Sequence, residues 1–290
     1  MNEHINSDDN AYESLAAAHG GEDRWAFGTG FDDPLAGVDQ AVPPGVDEGL
    51  RCLELGDDAL VLSQRLAAWC GNAPELEDEM ALANIALDLL GQARLLLTRA
   101  VTIEPALRPA TAPPSVPAED AMAYFRDERS WRNVRLAELD DHLDFAACIA
   151  RLAVLTIWRL SVLGTAVTSQ DPVLAAIAAK GVIEGTYHRE YATGWLIRLG
   201  DGTSESHDRM QRALDAAWPY VDELFAAGDR KEFDAVLDAV LDAATLHRPG
   251  RTARAGVAGA TGRDGVHTEA MGYLLAELQS VARAHPDATW

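Results

Sequence analysis

The segment from Asp144 to Ser169 constrains the fold most. It is almost entirely apolar, interrupted by Arg151 and Arg159. At 1.5 Å per residue it forms a helix roughly 39 Å long. A helix that is apolar on nearly every side has to lie inside a bundle. No segment of the chain shows sustained alternation of apolar and polar residues, so the surrounding elements are helices as well.

The flanking patterns supply them. Asp47 is the expected cap of a helix carrying Leu50, Leu53, Leu60, Leu62, Leu66 and Trp69, with Gly71 as its stop. Pro74 suits the first turn of a second helix, because proline lacks only an amide hydrogen that is unsatisfied there anyway. That helix runs to about Thr102 with Met80, Ile85, Leu89, Leu90 and Leu96 on its apolar side. Five prolines between Pro105 and Pro117 mark a linker, and Glu119 to about Leu139 reads as a charged helix bearing Phe125 and Trp131. Asp171-Pro172 opens another long helix that Gly200-Asp201-Gly202 ends. Ser204–Ala226, Lys231–Leu246 and His267–Arg283 follow as amphipathic helices. Four long helices between 47 and 200, in two hairpins joined by a longer crossover, predict an all-α, ferritin-like four-helix bundle with peripheral helices. The domain spans 46–290, behind a flexible acidic segment at 1–45 in which Trp25, Phe27 and Phe31 are candidates for docking onto the body or a partner.

Alanine and leucine dominate the apolar residues and aromatics make up only 7%, which agrees with helices. The net charge of −22 repels polyanions and argues against a nucleic-acid function. The opening MNEHINSDDNAYES has neither the basic nor the apolar region of a signal peptide, and no uninterrupted apolar run spans a bilayer, so a cytoplasmic chain is expected. Cys52, Cys70 and Cys148 have no C-x-x-C spacing and read as reduced core thiols. Residues 247–266 form a Gly/Ala/Arg loop containing Arg248, Arg251, Arg254 and Arg263. It is either a solvated loop or a guanidinium cluster that binds phosphate groups or docks an acidic partner. The acid pairs Asp57-Asp58 and Asp140-Asp141 read as caps and solvated faces.

A di-iron carboxylate bundle needs Glu on two helices and Glu-x-x-His on the other two. Residues i and i+3 share a helix face, so the Glu bridges both irons while its His binds one. None of the eight histidines has a glutamate three residues before it. Two places approach the motif. In Asp88-Leu-Leu-Gly-Gln-Ala-Arg94, Leu89 and Gln92 stand in the frame of the Glu and the His. In Glu184-Gly-Thr-Tyr-His188, the histidine is kept but Gly185 precedes it by three. Glu184 and His188, at i and i+4, are candidates for a hydrogen-bonded pair. No metal, cofactor-binding or catalytic residue is therefore assigned.

The stretches Leu55–Arg94, AMAYFRDERSWRN, Tyr187–Tyr220 and the ending HTEAMGYLLAELQSVARAHPDATW resemble the non-catalytic C-subunit family of bacterial ring-1,2-phenylacetyl-CoA epoxidases (phenylacetyl-CoA monooxygenases). The resemblance spans most of 47–290. It implies a ferritin-like structural subunit that pairs with a homologous catalytic A subunit, which carries the di-iron centre. It further implies a small B subunit and an iron–sulfur flavoprotein reductase using FAD and NADPH, with phenylacetyl-CoA bound near the A–C interface. The function it implies is a part in aerobic phenylacetate catabolism. An active di-iron oxidase with atypical ligands and an unrelated helical adaptor are the alternatives.

Overall fold

The computed structural model describes residues 34–225, 230–250, 259–286 and 288. Trp25, Phe27, Phe31, Arg251, Arg254 and most of the acidic segment lie outside them. The chain divides after Ala36, and every helix below belongs to the body, Gly37–Trp290. Among the described residues there is no strand.

Helices α1 (Gly49–Ala67) and α2 (Leu76–Ile103) form the first hairpin. The turn between them carries Gly71 at φ 81, a backbone state that favours glycine. Three details differ from the sequence reading. Asp47 is not the cap: Glu48 holds that position, and no side-chain bond caps the helix. Pro74 precedes the cap residue Glu75 instead of entering the first turn. Leu50, Met80 and Leu90, predicted on the apolar stripes, are exposed.

The second hairpin is α5 (Phe145–Ala166) and α6 (Pro172–Gly200). The predicted cap at Asp171-Pro172 is present, and Asp144 caps the other helix. Asp144 accepts the amide of Ala146, and Asp171 accepts that of Val173 with Pro172 in the first turn. Asp171 is fully buried and also takes Arg99 in two bonds of 2.8 and 2.7 Å, tying the α6 cap to α2. Arg99 donates further to the carbonyls of Gln40 and Ala41. By length and hydropathy α2 and α5 both qualify as membrane spans; 78% of the most apolar window of α5 is buried inside the protein, against 44% for α2.

The crossover is not one helix over 119–139. It breaks into α3 (Ala118–Tyr124), a 3-10 turn at Glu128–Ser130 and the single-turn α4 (Arg135–Glu138). The cause lies on α1. Asp57 and Asp58 are buried, not solvated as the sequence suggested. Asp57 binds Arg126 at 2.9 Å and accepts the amide of Arg132, and Asp58 accepts the amide of Val134. These carboxylates hold extended backbone where a helix would otherwise continue. Asp58 also pairs with Arg263 at 2.7 Å. Asp141 is likewise buried, taking Arg151 and the indole of Trp69, whereas Asp140 remains at the surface. Trp69 meets Phe145 edge-on, and Phe145 meets Trp195, closing that end of the bundle.

Helices α7 (Ser204–Ala217), α8 (Lys231–Ala243) and α9 (Glu269–Ala284) pack outside the four. The predicted helix to Ala226 ends earlier, and Trp218–Phe225 is a 3-10 helix. The glutamate Glu138, on α4, anchors the start of α9. It accepts Asn133, His267, and both the amide and hydroxyl of Thr268. Cys52 and Cys148 are core residues as expected, but Cys70 is exposed in the α1–α2 turn.

Candidate functional site

The four positions singled out by spacing converge. Leu89 and Gln92 from α2, and Gly185 and His188 from α6, line one small cavity with Leu62 of α1 and Arg159 of α5. Its volume is about 10 Å³, which is on the order of what a single water requires.

Arg159 dominates the chemistry there. Its guanidinium is buried and donates to Gln92 Oε1 at 2.8 Å and to the Leu55 carbonyl at 3.1 Å. No carboxylate touches it directly. Burial, with a smaller push from the nearby Arg263 charge, lowers its pKa to about 10, so the group is a cation at neutral pH. Gln92 passes the interaction on: its Nε2 donates to Glu184 Oε2 at 2.7 Å. Glu184 is paired in turn with Lys180, one turn earlier on α6. The chain of contacts therefore runs Arg159, Gln92, Glu184, Lys180 from the bundle centre to its surface.

The predicted Glu184–His188 pair does not form. His188 Nε2 instead lies 3.0 Å from Asp88 Oδ2 on α2. One helical turn separates Glu184 from His188, and each reaches across the α2–α6 seam to its own partner. Further along that seam Tyr191 donates to Asp78 at 3.0 Å. Burial, reinforced by that acceptor, holds the Tyr191 phenol well above its usual range.

These residues do not fit a di-iron carboxylate centre. Leu89 is apolar and 1% exposed, Gly185 has no side chain, and Gln92 and Glu184 are engaged with each other. The remaining imidazole is bonded to Asp88. A fixed guanidinium occupies the space where a cation pair would require anionic ligands. Packing reinforces the mismatch. A Cβ at Gly181 would come within 3.0 Å of Leu163 Cδ1, and one at Gly185 within 3.4 Å of Leu160 Cδ1, so α6 lies close against α5. Among the described residues, no group of three or more His, Cys, Asp or Glu side chains converges elsewhere.

Spacing located Leu89, Gln92 and Gly185. It missed Arg159 and Asp88, whose partners sit on other helices, and Lys180, which pairs with Glu184 one turn away on α6. The available signal was a charged residue inside the most apolar helix. The Arg-rich loop is also corrected in part. Arg248 is held by Asp234 at 2.7 Å and by Asp238 at 2.6 Å, and Arg263 by Asp58, so neither guanidinium is a free anion-binding group.

Comparison with known proteins agrees with this architecture. The family model described as phenylacetic acid catabolic protein matches residues 50–290. The chain is 40% identical over 256 residues to the C subunit of the 1,2-phenylacetyl-CoA epoxidase of Escherichia coli (strain K12), covering 82% of this chain and 97% of that protein. From α1 to the C-terminus, this chain belongs to the phenylacetic acid catabolic protein family.

Proposed function

We propose that this chain is the non-catalytic, structural subunit of a phenylacetyl-CoA epoxidase, serving aerobic phenylacetate catabolism by bracing a di-iron catalytic subunit. The observation that carries the reading is the bundle centre, where Arg159, Gln92 and Leu89 stand in place of metal-binding side chains. The likeness to the C subunit of a known epoxidase supports the pathway and the substrate. The scaffold is kept and its centre is filled by a cation and apolar groups, so its remaining capacity is to pack against another chain. Its cofactors then reside elsewhere in the complex: iron in the catalytic subunit, and flavin, iron–sulfur and NADPH chemistry in a reductase. The assembly also includes a small additional subunit.

The test is a reconstitution. The chain purified alone should contain no stoichiometric iron by elemental analysis and should not oxidise phenylacetyl-CoA with a reductase. Omitting it should lower the soluble yield, iron content and turnover of the catalytic subunit from the same organism. A catalytic subunit that is soluble, iron-loaded and fully active without it would refute the bracing role. An iron-loaded, active preparation of this chain alone would refute the non-catalytic reading.

A further inference from the structure

Resting on that reading, we infer that the outer face of the α2–α6 helix pair is the surface that binds the partner subunit, and that the partner is a different, less acidic chain presenting an uncharged helix face. Met80 and Leu87 are 59% and 62% exposed, and Ile183 and Tyr187 are 64% and 68% exposed. The spacing of Met80, Leu87 and Gly91 puts them on one side of α2; Ile183 and Tyr187, at i and i+4, share one side of α6. The two helices run antiparallel, with Asp88 level with His188 and Gln92 level with Glu184. That register sets Leu87 and Gly91 beside Tyr187 and Ile183 in one patch.

Three observations favour a protein partner there. First, α2 is as apolar as a core helix yet only 44% of its most apolar window is buried, while the comparable α5 reaches 78%. A helix apolar on both faces is ordinarily covered on both. Secondly, polar side chains bordering the patch along the seam are already engaged, His188 with Asp88 and Glu184 with Lys180. Covering the face therefore does not strip these two contacts of their partners. Thirdly, the area suffices. Two ~40 Å helices set about 10 Å apart present roughly 800 Å², the share one partner contributes to a standard interface.

The net charge selects the occupant. A second copy would bring another −22 against this chain's −22, and an anionic lipid surface would repel it in the same way. A less acidic subunit of the same enzyme carries a smaller penalty.

The experiment co-expresses the full chain with the di-iron subunit from the same organism and measures mass by light scattering after size exclusion. Two variants, Met80→Glu/Leu87→Glu and Ile183→Glu/Tyr187→Glu, are compared with Tyr273→Glu on α9, an equally exposed position away from the pair. Circular dichroism checks that each remains folded. The wild type and the α9 variant should form the heteromer, and both α2–α6 variants should bind at least ~100-fold more weakly. Heteromers of the α2–α6 variants within about threefold of wild-type affinity would overturn the surface while leaving the bracing role intact. A wild-type homodimer broken by these variants would overturn the choice of occupant. A wild-type chain that binds no epoxidase subunit would overturn the bracing role and the surface together.

Discussion

Arg159 donates to Gln92 Oε1 across 2.8 Å at the centre of the bundle, and nothing anionic lies within its own reach. Truncating it should be costly and refilling it should not. Arg159→Ala leaves the Leu55 carbonyl and the Gln92 oxygen without their donor and opens a cavity, lowering stability by about 2–4 kcal/mol. Arg159→Met restores most of the stem volume without burying a charge, and should lie within about 1.5 kcal/mol of the wild type. Urea unfolding of the two variants, compared at constant slope, measures both.

Restoring the ligand motifs alone should not restore metal binding. Leu89→Glu, Gln92→His and Gly185→Glu together recreate two Glu-x-x-His motifs with the native His188. With Arg159 retained, iron content should stay substoichiometric. Adding Arg159→Glu and Leu62→Glu, which supply carboxylates from α5 and α1, should raise it. Elemental analysis after anaerobic loading decides the point.

The buried acids of α1 should matter far more than the acid pair's exposed counterpart at the other end. Asp57→Ala leaves the Arg126 guanidinium, itself 3% exposed, without its carboxylate, and should cost about 3–5 kcal/mol. Asp140→Ala removes a surface group that accepts only the His142 amide and the exposed His142 ring, and should cost under ~1 kcal/mol. Thermal melts of the two variants supply the comparison.

Thiol chemistry should separate the three cysteines. Burial pushes Cys52 and Cys148 up to about 12, with the nearby Asp171 charge adding to the rise at Cys52. Both stay protonated and unreactive at pH 8, so a native protein should titrate one thiol, Cys70, and a denatured one all three. The pH dependence follows from the sign of the shifts. The folded values lie above the unfolded ones, so this stabilisation is whole below about pH 8.5, the ordinary thiol value, and is lost progressively as pH rises towards 12. Cys52→Ala/Cys148→Ala should flatten that alkaline decline in a series of denaturation curves.

The long helices were legible because their signals are local. Asp144 and Asp171-Pro172 cap the chain next to them, and the 3.6-residue apolar rhythm runs uninterrupted between. The crossover was not, because what shapes it is remote. The amides of Arg132 and Val134 are drawn out by Asp57 and Asp58, about seventy-five residues earlier, and no nearby residue betrays that. The same division runs through the bundle centre. A missing ligand at Leu89 or Gly185 can be read from spacing along one helix. The partner of His188 cannot, since Asp88 and Glu184 compete for it only once α2 and α6 are side by side.

The close approach of α6 to α5 at Gly181 and Gly185 makes the bundle centre a ratchet. A glutamate placed at position 185 alone would meet Leu160 and bring a buried carboxylate with no metal to receive it. A histidine placed at position 92 alone would leave Arg159 and Glu184 without the amide that joins them. Each single step towards a ligand set is worse than standing still, so ligands introduced here one at a time meet a barrier that several introduced together avoid.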